Sequence, residues 1–504
     1  MDKAIGFSLV YDTEPPRPSW LDTYPWLVEK VIEREGWAVR LWGHGDLDAV
    51  IDGDRIVVGL EEGEEPLSSR SVVIELGNPP EIHSDFGGYL PVFVGKGAAS
   101  TDEGCIPGVR TLDLKGVLSF LLTNTLLDGC TIWKDVCWLL GNHSLYGTIW
   151  PQESIRLYNS DPAEMGDMLE RTIRKYTDGL GDVYLSMSGG FDSRLIMLNM
   201  ERKERIHART YPISHPVSRS NEYVLAACSA HLAELADHKA VSAWNYGKYL
   251  PQYFDFYGAT MSPLNAYIFA FIMRTLKERW PVLHGMPGDT LSGNPMVGNL
   301  KYVARRFEDE GRFEQTCRTD PHSWNREDLD KLFTVGWREA LADLRQTWAH
   351  TWCTTEGERL SQKADLIRLR NRSAMMTIRT FSICDVYGGM VSPYCDREYT
   401  EYMLSLPDEA RLKRAEQIAM AKKRWPDHFP IPRPLRPKDW DTTNTIDRDN
   451  ISEEALWPID ALDHPWFNRD YVDELKDKAL GGDVRSFHLL FALQTIAYGL
   501  MRGG

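Results

Sequence analysis

The 504-residue chain has no Cys-x-x-Cys pair: its eight cysteines stand singly at 105, 130, 137, 228, 317, 353, 384 and 395. That spacing excludes the common zinc and dithiol signatures, and so low a density excludes a disulfide scaffold. Long apolar runs are missing too. The most apolar helical stretch, 264–273, stops at Arg274 and is too short for a bilayer, so it reads as a core helix. The start, Met1-Asp2-Lys3-Ala4, lacks the basic-then-apolar order of a secretory signal. A cytoplasmic location with no membrane partner is therefore the expectation. Positive charge is in deficit, with 57 Lys and Arg against 73 Asp and Glu, a net charge of −16. A surface of that sign repels phosphate backbones, so no nucleic-acid partner is expected. Internal repeats and low-complexity tracts are absent.

What is present is the composition of a folded protein, 43% hydrophobic with 17 tryptophans. The length exceeds one comfortable core, so two or more domains are expected. Short β-like runs at 55–60, 71–76 and 90–94 lie between Gly, Pro and acidic turns. A helical pattern covers 113–128, and short segments return at 136–145. Asp161-Pro162 opens a second helical pattern that runs to about Tyr176. From Val183 to Ile213 strand, turn, helix and strand alternate, which predicts βαβ units on a parallel sheet. Helical patterns dominate from Trp324 onward, broken by the proline-rich stretch 429–437. The reading is an α/β protein.

Chemistry concentrates after the apolar strand Val183-Tyr184-Leu185-Ser186-Met187, which runs into Ser188-Gly189-Gly190-Phe191-Asp192-Ser193 and then a helix-forming stretch. Two glycines let backbone N–H groups approach an anion, and the helix that follows adds its positive end. Ser188 and Ser193 add hydroxyl donors, and Asp192 offers a hard oxygen for Mg²⁺. A glycine turn alone would say little. Strand, hexapeptide and helix in register say much more.

This hexapeptide is similar to the signature of the N-type ATP pyrophosphatases, and the chain after it resembles the asparagine synthetase family. The stretch Leu283-His284-Gly285-Met286-Pro287-Gly288-Asp289 resembles that family's second loop. The resemblance implies ATP and Mg²⁺ as cofactors, with Ser188, Gly189, Gly190, Asp192, Ser193 and Gly285 at the nucleotide. It also implies that Asp192 and Asp289 hold the metal. Ala208-Arg209-Thr210-Tyr211 looks like the strand whose end borders adenine, with Glu222 on the next helix. Ser392-Pro393-Tyr394-Cys395-Asp396 and Leu404-Ser405-Leu406-Pro407 are similar to the family's Pro-Phe-Leu-Asp segment and Leu-Pro ending. Arg436-Pro437-Lys438 resembles its Arg-x-Lys, making Lys438 the catalytic cation by likeness, with a solvated basic loop as the alternative. Nine Lys or Arg lie between 411 and 438, and Arg368, Arg370, Arg372 and Arg379 lie upstream. They read either as solvated helix faces or as a cationic wall near the triphosphate.

The N-terminal part resembles the family's amidotransferase-type layered domain through Ser84-Asp85-Phe86-Gly87-Gly88-Tyr89-Leu90-Pro91. Its glutaminase needs a cysteine as the processed first residue, whereas position 2 is Asp2. The expectation is a degenerate Ntn-hydrolase-like β-rich domain over 1–155 without glutaminase activity. A parallel-sheet pyrophosphatase domain with a helical C-terminal part would follow over 160–504. The implied reaction adenylates a small-molecule or peptide carboxylate, releases pyrophosphate and lets an amine displace AMP. A lasso-type macrolactam cyclase and a non-catalytic scaffold stand as alternatives, with a second copy or a biosynthetic partner protein left open. β-Lactam closure loses weight, because Met286 and Gly388-Gly389 occupy the places of the base dyad's tyrosine and glutamate. Asp385, Tyr387 and His284 remain as candidates for a base, His284 equally as a core histidine.

Overall fold

The computed structural model describes residues 2–11, 13–59, 69–108, 110–146, 148–151, 155–158, 160–211, 221–242, 245–293, 324–429, 431 and 451–503. Two sheets organise the described residues. The first, in the N-terminal part, is mixed and twelve-stranded. Its first strand, Lys3–Tyr11, pairs along one edge with Trp37–His44. Along the other edge it meets Arg55–Val58 near its start and Ala98–Ser100 near its end. One strand with three partners forces the arms to diverge, and the sheet curls around an apolar filling that includes Phe7, Val39, Leu41, Val58 and Ile74. A register shift between Ala4 and Gly6 turns Ile5 out of that filling toward the second half of the molecule.

The second sheet has five strands, all parallel, in the order Asp237–Ala240, Ile206–Thr210, Val183–Ser186, Val282–Leu283, Met390–Val391. The expected βαβ units are present. Val183–Ser186 leads into the helix Phe191–Asn199 and on to Ile206–Thr210, with every residue of Val183–Ser186 buried. The expected core helix is also there, over Ala266–Thr275. The C-terminal portion is mainly helical and ends in Val484–Gly503, fifteen residues of which are buried.

Three local readings are corrected. Leu90 to Val92 do not form a strand; the strand begins at Phe93. The buried Asp85 carboxylate accepts the N–H groups of Gly87, Tyr89 and Leu90, and this bends the segment. The helix read over 113–128 is Leu114–Thr123, capped by Asp113 and stopped by Asn124 in a left-handed conformation. The largely helical C-terminal region also contributes Met390–Val391, the last strand of the parallel sheet.

Buried polar contacts join the two parts. Arg70 lies 2.6 Å from Asp385, His44 Nε2 bonds the Asp385 carbonyl at 2.7 Å, and Trp26 donates to the Val386 carbonyl. One apolar cluster spans Trp42, Phe120 and Trp133 of the first part and Phe254, Leu283 and Phe491 of the second. Among the described residues no helix is long and apolar enough to cross a membrane.

Candidate functional site

In the parallel sheet, the connection after Val183–Ser186 leaves toward Ile206–Thr210 on one side, while Val282–Leu283 lies on the other. Strand order therefore reverses at the central strand. The crevice beyond the carboxyl ends of such strands is where open parallel sheets bind ligands. Residues 188–193 leave one of these strands and residues 284–289 leave its neighbour, so the two motifs meet at the reversal.

The loop's conformation explains its glycines. Gly189 has φ +70°, and a Cβ there would lie 2.9 Å from the Glu222 carbonyl oxygen and the Ala226 nitrogen, both backbone atoms of the next helix. Only glycine fits. Helix Phe191–Asn199 starts inside the motif, with Gly190 as its N-cap and so no capping side chain. Uncapped donors and the positive helix end favour an anion here. Ser188 Oγ takes the Gly190 N–H at 3.3 Å, and Ser193 Oγ takes the Ser188 N–H at 3.4 Å, both long enough to yield to a better acceptor. Thr210 Oγ1 donates to the Met187 carbonyl at 2.6 Å, tying the end of the neighbouring strand to the loop.

Across the crevice, Gly285 and Gly288 make room for Asp192. A Cβ on Gly285 would sit 2.9 Å from Asp192 Cβ, and one on Gly288 would sit 2.8 Å from Asp192 Cγ. Asp289 follows in the short helix Gly288–Leu291, its Oδ1 accepting the Thr290 N–H. Burial pushes the Asp192 carboxyl up; Arg414 opposes this and the charge of Asp289 adds to it. Two carboxylates that repel one another suit a small hard cation. Mg²⁺ asks for one or two protein carboxylates and takes its remaining ligands from phosphate and water. Among the described residues no cluster of three or more acidic, His or Cys side chains could hold a metal alone. The donor set fits an ion shared with a phosphate ligand.

Sequence reasoning counted Arg414 only as one of nine residues in a basic run, without singling it out as the partner of Asp192. Arg414, 6% exposed, donates through Nη1 to Asp192 Oδ1 at 2.9 Å. Burial would lower its guanidinium, but Asp192 and Asp289 outweigh that and raise it. Both Lys413 and Arg414 are left-handed, at φ +55° and +62°, immediately before helix Ala415–Arg424. Such backbone costs non-glycine residues about 1–2 kcal/mol each, and here it turns Arg414 inward. Arg411 is fully enclosed with Asp365 and donates to the Leu291 carbonyl at 3.1 Å, supporting the second loop from beneath. Of the basic run, these two line or brace the crevice, whereas Lys422 and Lys423 are exposed. Two of the upstream group, Arg370 and Arg379, serve another end. Arg370 bonds Glu356 and the Phe86 carbonyl, and Arg379 lies over Phe93, both holding the first sheet.

Ser188, Gly189, Gly190, Asp192 and Ser193 thus share one crevice with Gly285 and Asp289. Lys438, with Arg433 and Arg436, lies outside the described residues. The candidates for a base are engaged elsewhere. His284 is buried, stacked on Phe381 at 4.4 Å, and its Nδ1 accepts the Met286 N–H, so burial pushes it down to about 3. It is a core histidine. Asp385 pairs with Arg70, and Tyr387 packs among Tyr24 and Trp26. No family model and no curated protein matches the chain.

Proposed function

We propose that this chain is an ATP-dependent carbon–nitrogen ligase. It activates a small-molecule or peptide carboxylate with release of pyrophosphate, and an amine then displaces AMP to give an amide. In this reading the N-terminal sheet is an Ntn-hydrolase-like scaffold without glutaminase activity, and the parallel-sheet part is an asparagine-synthetase-like ATP pyrophosphatase. One observation carries it: Asp192 packs into the space left by Gly285 and Gly288, so both motifs close on one crevice at the strand-order reversal.

The loop N–H groups and the hydroxyls of Ser188 and Ser193 are donors for phosphate oxygens, fixed before the ligand arrives. When bound, Mg²⁺ would draw charge from the departing pyrophosphate, with Asp192 and Asp289 as its protein ligands. Arg414 holds the Asp192 carboxylate in place, and Lys438 is proposed as the ammonium that gains most as charge develops. Incubation with ATP, Mg²⁺ and a panel of carboxylates should release pyrophosphate, and hydroxylamine should trap the activated acyl group as a hydroxamate. ATP binding without pyrophosphate release from any carboxylate would instead favour the scaffold reading.

A further inference from the structure

We propose that Arg194 is a positioning residue for the phosphate-binding loop, clamping the Gly189 carbonyl to those of His428 and Ile431 so that these later residues set the loop's donor geometry. The proposal rests on the reading of residues 188–193 as a phosphate loop and adds a second segment to that site.

Arg194 sits on helix Phe191–Asn199 and is fully buried. Its Nη2 donates to the Gly189 carbonyl at 2.7 Å, while Nη1 donates to the carbonyls of His428 at 3.0 Å and Ile431 at 2.9 Å. The Phe191 and Phe429 rings stack with centroids 5.4 Å apart and planes 11° apart, and the guanidinium lies 5.6 and 5.4 Å from them. Burial lowers this group to about 10, which leaves it protonated at neutral pH. A planar fork that reaches three carbonyls on two segments defines their relative position more tightly than a flexible ammonium could.

The consequence for the loop follows from peptide geometry. In a trans peptide the carbonyl of one residue and the N–H of the next lie in one plane and point opposite ways. Holding the Gly189 oxygen toward Arg194 therefore directs the Gly190 N–H to the other side, toward Ser188 Oγ. Because Gly189 is a glycine with positive φ, its own torsional preference fixes little, and the clamp supplies the constraint.

Two variants and one probe test this: binding of inorganic pyrophosphate with Mg²⁺ by calorimetry, beside hydrogen exchange of the 186–196 peptide. Arg194→Lys keeps the charge but not the fork, and should weaken pyrophosphate binding about tenfold. Phe429→Ala removes one of the two stacked rings beside the guanidinium, at a residue far from the loop in sequence. It should weaken binding several-fold and speed exchange in 186–196. A merely structural Arg194 would lower the melting temperature without altering the affinity of the folded molecules. Parental affinity in both variants overturns the proposal alone, whereas failure of the parent to bind pyrophosphate removes the phosphate-loop reading and the proposal with it. Should Arg194→Lys not fold, parental affinity and exchange in Phe429→Ala suffice to overturn it.

Discussion

Replacing Arg414 by methionine tests the electrostatics of the crevice without reference to any substrate. The guanidinium and the Asp192 carboxylate are 2.9 Å apart, with side chains 6% and 16% exposed. Removing one partner of a shielded pair costs on the order of 3–5 kcal/mol, and the residual exposure of Asp192 points to the lower end, about 3 kcal/mol. Asp192 then faces Asp289 with no counter-charge. A divalent cation should take over the role of the lost guanidinium. Mg²⁺ that binds only the folded state stabilises by RT ln(1 + [Mg²⁺]/Kd), about 2.7 kcal/mol at one hundred times Kd. Thermal melts of Arg414→Met should therefore show a loss of roughly 3 °C in EDTA, largely recovered in millimolar Mg²⁺. The parent, already neutralised, should respond much less. Adding Asp289→Asn to Arg414→Met should abolish the recovery. Equal Mg²⁺ responses in parent and variant, or none in either, would refute the assignment of the two aspartates as a metal pair.

Gly189→Ala should destabilise the fold by about 2–4 kcal/mol, since left-handed alanine costs about 1–2 kcal/mol and its methyl meets helix backbone at 2.9 Å. Gly190→Ala meets only Ser188 Oγ, at 3.1 Å, and should cost under about 1 kcal/mol; denaturant melts separate the two, and equal losses would contradict the loop geometry. Burial pushes Asp128 up to about 6, so its contribution to stability is full below about pH 4 and is lost as pH rises through 6. Asp128→Asn should gain on the parent by up to about 3 kcal/mol between pH 4 and 7, and a gap independent of pH in urea titrations would refute this. Lys438→Ala should lower the maximal rate of pyrophosphate release about a hundredfold with ATP affinity little changed. Parental turnover would mark the Arg-x-Lys likeness as coincidence.

The candidate site was legible where its signals are local. A buried four-residue strand, a glycine pair and a helix-forming stretch are adjacent in the chain, and the parallel sheet follows from their alternation. The second loop was legible only through its resemblance to a known family's loop, since the strand it leaves, Val282–Leu283, is two residues long and carries no periodicity. Arg414 could not be read so. It is 222 positions from Asp192, and its burial depends on two consecutive left-handed residues that no glycine announces. In the sequence it sits among Lys413, Lys422 and Lys423, all of which are solvated. Met390–Val391 escaped for a different reason: a two-residue strand has no periodicity, and only its pairing with Val282–Leu283 reveals it. The stretch 90–92 has the composition of a strand, but Asp85 withdraws the Leu90 N–H from any ladder.

In the proposed function, residues 188–193 and 285–289 together bind ATP through Asp192 and Asp289. Calorimetric titration of Mg²⁺–ATP into the parent and into Asp289→Asn tests it most directly. Asp289 is preferable to Asp192, whose loss would also leave the shielded Arg414 without its partner. One nucleotide should bind per parent chain, and Asp289→Asn should bind at least about tenfold more weakly, a loss of about 1.4 kcal/mol, with an unchanged melting temperature. A parent that does not bind ATP, or an Asp289→Asn protein that binds it as tightly, would contradict the account.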